Sequence, residues 1–140
     1  MPKLVIDTNI VLTWLGLQNA SLLERADKLF RDAARNKLQL VAPEFLAIEI
    51  INILKWRLKR NYQEANEVLQ TVLMAGIALV PVGVESGMEI NKLVHEHSLS
   101  AYDALYLSVA QNLNCALVTE DEKLLAVTEW TTSLSNLSRN

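Results

Sequence analysis

The chain alternates short apolar runs with helix-like segments, and this alternation constrains its fold more than any other feature. The apolar runs lack the strict in-and-out alternation of a half-exposed sheet, and they lie at residues 3–7, 38–41, 78–82 and 115–119. Short apolar strands separated by helices are typical of a parallel sheet that is covered on both faces. We therefore predict an α/β fold, a three-layer α/β/α sandwich around a mostly parallel sheet of four to five strands.

Helical patterns fill the segments between these strands. They lie at residues 9–15, 21–36, 44–59, 62–74, 85–97 and 101–112, and a last short helix is expected near residue 120. Ser21 with Glu24 predicts a capping box for the second helix, and Pro43 suits the first turn of the third. The sequence turns polar after residue 127, so we assign residues 1–126 to one domain and expect 127–140 to be a loose tail or an edge strand.

Length and composition describe a single globular domain. The chain has 140 residues, 51% of them hydrophobic and 21% charged, which excludes a disordered or low-complexity protein. The longest uncharged stretch, residues 68–84, is interrupted by glycine and proline and is too short to cross a bilayer. The first residues offer no signal-peptide core, and one cysteine, Cys115, fits a reducing compartment. We expect a cytoplasmic protein without a membrane segment.

Two acids follow predicted strands directly. Asp7 ends the first strand and Asp121 follows the fourth, so both are expected at the carboxyl edge of the sheet, where ligands bind in open α/β folds. Each also has an ordinary explanation. Asp7 can cap the helix that follows it, and a capping box of Thr119 and Glu122 would place Asp121 in a first helical turn that favours negative charge.

Two further acids lie in apolar helical segments. Glu49 belongs to a segment that is apolar on every side, a pattern typical of a buried helix, and Asn52 lies on the same stripe. An unpaired buried carboxylate is costly, and the basic residues of this helix lie six or more positions away. Asp103 opens another apolar helix, where a capping box with Ser100 is the alternative explanation.

Taken together, these acids predict a cation site. Two carboxylates in contact repel each other by about 4 kcal/mol in an intermediate dielectric, so several stay ionised together only around a cation. Ligation by oxygen alone favours Mg²⁺ or Mn²⁺ over zinc. Such a site suits the hydrolysis of phosphodiester bonds, where the metal orients water and offsets charge on the phosphate.

Four segments, in this order, resemble the PIN domain, and within it the small VapC-type ribonuclease toxins of bacterial toxin–antitoxin pairs. They are VIDTN near the start, EIIN, SAYDALYLSVAQ and LVTEDEKLL, and the resemblance covers residues 3–125. It implies an acidic quartet with catalytic and metal-binding roles: Asp7, Glu49, Asp103 and Asp121. Asp7, Asp103 and Asp121 are the implied metal ligands. Asn9 and Thr119 match family positions and, with Asn52, are expected to contact substrate or to position ligands. Glu120 and Glu122 flank Asp121, which leaves open which acid of that run points inward.

The resemblance implies a divalent-metal-dependent endoribonuclease that is the toxin of a type II toxin–antitoxin pair. It implies an RNA substrate, a homodimer and a small antitoxin, with the homodimer expected to use Leu12, Trp14, Leu15 and helix 21–36. The net charge of -3 does not exclude RNA, because twelve acids oppose thirteen bases once the quartet is set aside. A further hypothesis is a catalytically inactive PIN-like domain that binds nucleic acid or a partner. A phosphatase or receiver-like domain using Asp7 is disfavoured, since such phosphatases want a second acid where Asn9 stands.

Overall fold

A computed structural model describes residues 1–137, and a five-stranded parallel sheet forms the middle of this part of the chain. The strands are β1 (Lys3–Ile6), β2 (Gln39–Pro43), β3 (Ala78–Val80), β4 (Ala116–Val118) and β5 (Thr131–Thr132). Their spatial order is β3-β2-β1-β4-β5, and every neighbouring pair is parallel. The predicted α/β fold with a mostly parallel sheet is confirmed, at the upper end of the predicted strand number.

Helices cover both faces of this sheet. They are α1 (Thr8–Trp14), α2 (Leu23–Ala34), α3 (Leu46–Trp56), α4 (Tyr62–Met74), α5 (Gly87–His97), α6 (Ala101–Leu113), α7 (Glu122–Leu125) and α8 (Leu134–Leu137). Helix α1 contacts both α2 and α3, and α3 contacts α4. Helix α5 packs on α6, and α6 packs against β1, β2 and β4. Right-handed crossovers place α1–α4 on one face and α5–α6 on the other, which gives the predicted three layers.

Two predicted helix starts are wrong. Ser21 lies in a short 3-10 turn, Ala20–Leu22, and α2 begins after it without a side-chain cap. Asn19 adopts a left-handed conformation, with φ of 49°, and turns the chain immediately before this segment. Pro43 ends β2 opposite Val80 and does not open α3. Sheet pairing therefore takes precedence over the local preference of proline for a first helical turn.

Helix α3 is not enclosed, contrary to the prediction. Ile50 and Leu54 are fully buried, but Ile48, Ile51 and Trp56 are exposed to 54%, 44% and 65%. The pattern of apolar residues on every side thus corresponds to one face in the core and one apolar face toward solvent. Contiguous exposed apolar surface is a common mark of an interaction site.

The side chains predicted to form a homodimer contact mostly pack inside the chain. Leu12 is fully buried, and the ring of Trp14 stacks on that of Phe30 with 4.1 Å between centroids. Leu15 is half-buried against the same core. These contacts join α1 to α2, so Leu12 cannot contribute the predicted intermolecular surface.

The polar segment after residue 127 contains a two-residue edge strand and a short helix. The backbone N–H groups of Leu117 and Thr119 donate to the carbonyls of Trp130 and Thr132, which joins β5 to β4. Helix α8 packs on α2, and nothing in its polar sequence predicted it. Residues 138–140 of the predicted tail lie outside the described residues. Within residues 1–137, no helix has the length and apolar character needed to cross a membrane.

Candidate active site

The acids predicted to lie past β1 and β4 occupy adjacent positions at the carboxyl edge of the sheet. Ile6 and Val118 are paired in the sheet, and Asp7 follows the first while Asp121 comes three residues after the second. The helices that follow β1 and those that precede β4 lie on opposite faces, so a crevice opens between these two strands. This point, where the strand order reverses, is where open α/β folds bind their ligands.

Asp7 caps α1 and is also the most buried acid of the site. Its Oδ1 accepts a hydrogen bond from Ile10 N at 3.0 Å, and its Oδ2 accepts one from the Thr119 hydroxyl at 2.6 Å. The side chain is only 4% exposed. Burial raises the pKa of Asp7 to about 7, against the lowering effect of these two hydrogen bonds, and nearby Asp103 and Asp121 raise it further. Asp7 is therefore both the N-cap of α1 and a member of the acidic site.

Thr119 connects two of the acids. Its buried hydroxyl donates to Asp7 and accepts a hydrogen bond from Asp121 N at 3.0 Å. Asp121 itself caps α7, because its Oδ1 accepts a hydrogen bond from Leu124 N at 3.0 Å. The predicted capping box of Thr119 with Glu122 is thus wrong. The hydroxyl points toward the site instead, where it links the carboxylate of Asp7 to the backbone of Asp121.

Among the three consecutive acids after β4, Asp121 is the one coupled to the site. Its charge raises the pKa of Asp7. Glu120 lines the same cavity, but its Oε1 accepts a hydrogen bond from Leu134 N at 2.7 Å at the start of α8. Glu122 is exposed in the first turn of α7.

Asp103 lies in the first turn of α6, where the helix enters the core. Its backbone N–H donates to the Ser100 hydroxyl at 3.1 Å, so the predicted cap at Ser100 is present. The pKa of the Asp103 carboxyl is raised, first by burial and then by Asp121, while Ser100 and Lys123 lower it. The cap therefore positions an acid whose side chain senses the charge of Asp121 across the cleft.

Glu49 is half-buried on α3, and its Oε1 is buried without a hydrogen-bond partner in residues 1–137. Burial raises its pKa, as does Asp103, while the hydroxyls of Tyr106 and Thr8 lower it. Those two hydroxyls also hydrogen-bond to each other at 2.8 Å. Sequence reasoning missed both, although Tyr106 lies one helical turn from Asp103 and Thr8 directly follows the first acid.

An open cavity of about 600 Å³ lies over this edge. It is lined by Asn9, Gln18, Asn19, Ser100, Asp103, Glu120, Asp121, Glu122 and Lys123. The predicted residue Asn9 thus lies on the cleft wall, next to Gln18, which the sequence did not single out. Asn52 does not: it is exposed on α3, and in residues 1–137 no hydrogen bond joins it to any of the four acids.

The donor set fits a hard divalent cation. It offers carboxylate oxygens without His or Cys, and one of them, on Glu49, is buried and unpaired. The charges of Asp103 and Asp121 also disfavour the ionised forms of neighbouring acids. As the side chains stand in residues 1–137, no three acidic, His or Cys groups converge on one point where an ion could bind. The oxygens of Asp7 and Asp121 that accept hydrogen bonds keep further lone pairs, so these hydrogen bonds do not prevent either carboxylate from binding an ion.

Solved structures with a similar fold cover nearly the whole chain. PAE2754 from Pyrobaculum aerophilum is 25% identical, with a TM-score of 0.65 over 97% of this chain and 93% of that one. VapBC2 from Rickettsia felis, bound to a DNA fragment from its promoter, is 14% identical, with a TM-score of 0.69 over 94% of this chain and 98% of that one. A toxin–antitoxin complex from Klebsiella pneumoniae is 18% identical, with a TM-score of 0.64 over 93% and 96%. The last two show the fold alone.

Sequence comparison assigns the family. No curated protein matches the chain. The family model described as the PIN domain matches residues 4–129, which is most of the chain and includes all four acids of the cleft. The chain therefore belongs to the PIN domain family, whose members are generally nucleases.

Proposed function

We propose that this protein is a divalent-metal-dependent endoribonuclease that hydrolyses RNA phosphodiester bonds. The observation that carries the proposal is the meeting of acids from separate segments at one sheet edge. The charges of Asp103 and Asp121 raise the pKa of Asp7, and the charge of Asp121 also raises that of Asp103. The charge of Asp103 raises the pKa of Glu49. A scaffold without a ligand gains nothing from this arrangement, because mutual repulsion and burial both destabilise it.

In this proposal, Asp7, Asp103 and Asp121 hold Mg²⁺ or Mn²⁺. PIN domain nucleases generally use divalent metals. When bound, the ion supplies positive charge that offsets the charge of the phosphate and polarises the attacking water. Thr119 keeps Asp7 in place and favours its ionised form through the short hydrogen bond to Oδ2. The N-caps of α1, α6 and α7 fix the backbone that carries all three aspartates.

Glu49 completes the catalytic set as the proton acceptor for the attacking water. Its unpaired Oε1 is free to accept that proton, and burial keeps its pKa above the usual range, which suits a general base. The hydroxyls of Tyr106 and Thr8 are close enough to lower the pKa of this carboxyl and so favour its ionised form. Asn9 contacts substrate from the cleft wall, and Asn52 is assigned an outer contact from the exposed face of α3.

We also propose that the chain is the toxin of a type II pair in the cytoplasm. Two proteins of similar fold were solved as toxin–antitoxin assemblies, which supports a small antitoxin as partner. An antitoxin arginine would fit the cleft, because a guanidinium fork can pair with carboxylates that otherwise repel one another. For the homodimer, we propose the exposed apolar face of α3, with Ile48, Ile51 and Trp56.

The decisive experiment compares expression of the wild type with that of Asp7→Asn in a bacterial host without the antitoxin gene. Wild type is expected to arrest growth and to cleave RNA in Mg²⁺, whereas Asp7→Asn does neither. The matched control is Asp27→Asn, which changes an exposed acid paired with Arg31 on α2 and should behave as wild type. Activity that persists after exhaustive EDTA treatment would rule out the metal mechanism. RNA binding with no cleavage in any divalent metal would favour the inactive PIN-like alternative.

A further inference from the structure

A chain of hydrogen bonds joins the cleft to the basic end of α3. Gln18, in the loop after α1, donates through Nε2 to Asn9 Oδ1 at 3.1 Å and to Asn9 O at 3.3 Å. Arg57, just past α3, donates through Nη2 to Gln18 Oε1 at 2.8 Å. Asn9 and Gln18 both line the cavity that also contains Asp103 and Asp121. A residue 39 positions away is thereby connected to the cleft wall.

The chemistry of arginine sets the direction of this chain. A guanidinium has only donors, so Gln18 must turn its oxygen toward Arg57. The nitrogen of Gln18 then faces Asn9, and Asn9 must turn its own oxygen toward Gln18. The group of Asn9 left for the cleft is therefore Nδ2, which can only donate. In residues 1–137 this nitrogen makes no hydrogen bond of its own.

We propose that Arg57 and Gln18 form a relay that orients the Asn9 amide, so that Asn9 presents an N–H donor to a phosphate oxygen of the substrate. In this arrangement Asn9 positions substrate and does not ligate the metal, because the group that it turns toward the cleft is a nitrogen that only donates, whereas a hard cation binds oxygen. Gln18 and Arg57 are positioning residues that act through Asn9. The role of the donor in RNA cleavage rests on the proposed function, whereas the orientation of the amide does not.

The relay also explains why one member of the basic cluster at residues 55–60 differs from the others. Arg57 is the member whose side chain hydrogen-bonds to a residue of the cleft wall. Lys59, two residues later, carries the same charge outside the relay. Replacing each by methionine removes one positive charge from the same cluster, but only the first change releases Gln18. Comparing Arg57→Met with Lys59→Met therefore separates the effect of orienting Asn9 from the general attraction of positive charge to phosphate.

The test is a double-mutant cycle on RNA cleavage with Gln18→Met, Arg57→Met and the double variant. Each single change should raise KM about tenfold with a smaller effect on kcat, as expected for loss of one hydrogen bond to a charged group. The double variant should be no worse than the worse single variant, because both changes break one chain. Lys59→Met should raise KM less than threefold. The relay would be overturned if the KM increases of the two single variants multiplied in the double variant. It would also be overturned if Lys59→Met raised KM as much as Arg57→Met does.

Metal affinity, measured by calorimetry with Mn²⁺ alone, distinguishes a donor from an oxygen ligand. Gln18→Met should change the Mn²⁺ dissociation constant less than threefold, and a tenfold loss would show that the Asn9 oxygen binds the ion. Solvent exchange of the Gln18 side-chain N–H protons, followed by NMR, tests the relay without any activity. Arg57→Met should speed this exchange about tenfold. If wild type cleaves no RNA, the proposed function fails, while unchanged exchange in Arg57→Met is the result that refutes the relay.

Discussion

Replacing Asp7 by asparagine should stabilise the metal-free protein, and the gain should grow with pH. Burial raises the pKa of this carboxyl from 3.8 to about 7. Between pH 3.8 and about pH 7, the Asp7 carboxyl keeps its proton in the folded state but has lost it in the unfolded chain. The free energy of unfolding of wild type therefore falls as the pH rises through this range. At pH 8 the buried charge of Asp7 therefore lowers the free energy of unfolding by about 4 kcal/mol, since each unit of pKa shift corresponds to about 1.4 kcal/mol.

Asparagine removes this penalty and keeps most of the local contacts. Its oxygen can still accept from Ile10 N and cap α1, but its nitrogen replaces the oxygen that accepts from Thr119. Rearranging that hydrogen bond costs about 1 kcal/mol. The net gain for Asp7→Asn is thus about 3 kcal/mol at pH 8, equivalent to roughly 9 °C in Tm for a chain of this size. At pH 4 the two proteins should be equally stable, or wild type slightly more so.

Urea unfolding in EDTA between pH 4 and pH 8 measures this difference, with Asp27→Asn as the control. The Asp27 side chain is 51% exposed, so its replacement should change the free energy of unfolding by less than 1 kcal/mol at every pH. Saturating Mg²⁺ should stabilise wild type and not Asp7→Asn, because only the carboxylate gains from the ion. A difference between wild type and Asp7→Asn that does not change with pH would refute the burial argument. An Asp7→Asn variant that is less stable than wild type at pH 8 would refute it as well.

Three further substitutions test other contacts of the account. Thr119→Val leaves Asp7 without its short hydrogen bond and should lower the free energy of unfolding, measured in urea, by about 1–3 kcal/mol. Thr119→Ser keeps a hydroxyl and should therefore retain most of the wild-type stability. A change under about 0.5 kcal/mol in Thr119→Val would contradict this. Tyr106→Phe removes a hydroxyl that lowers the pKa of Glu49, so the acidic limb of the pH–rate profile should move to higher pH, and a stationary limb would argue against Glu49 as the base. Ile51→Lys changes an exposed side chain on the face proposed for a homodimer. If wild type is a dimer in light scattering, this variant should be a monomer of unchanged stability, and a variant that stays dimeric would contradict the proposed interface.

The sheet and the positions of its acids could be predicted because both follow from local patterns. Buried parallel strands are short apolar runs, and the residue after such a run lies at the carboxyl edge whatever the rest of the chain does. Asp7 and Asp121 were placed in this way, and the structure has them beside each other past β1 and β4. The period of a helix is equally local, and the predicted helix at residues 62–74 matches α4 in full.

Other features depend on which distant residues meet, and no local pattern contains that information. Thr119 matches a capping box by spacing, yet its hydroxyl donates to an acid 112 positions earlier. Tyr106 and Thr8, 98 positions apart, pair only after α6 is laid across β1. In α3 the apolar pattern does not distinguish the side that the core covers from the side left exposed. The failed predictions therefore concern the partners of residues more than the elements that carry them.

If the acidic cleft cleaves RNA with a divalent metal, removing one of its charges should abolish cleavage. End-labelled single-stranded RNA is incubated in Mg²⁺ with wild type, Asp103→Asn and Asp27→Asn, and the initial rates of cleavage are compared. Asp103→Asn loses the charge and keeps the backbone N–H that donates to the Ser100 hydroxyl at the start of α6. We expect at least a hundredfold loss of rate in Asp103→Asn, as is typical when a catalytic charge is removed, and a wild-type rate in Asp27→Asn. Equal rates in all three proteins would contradict it.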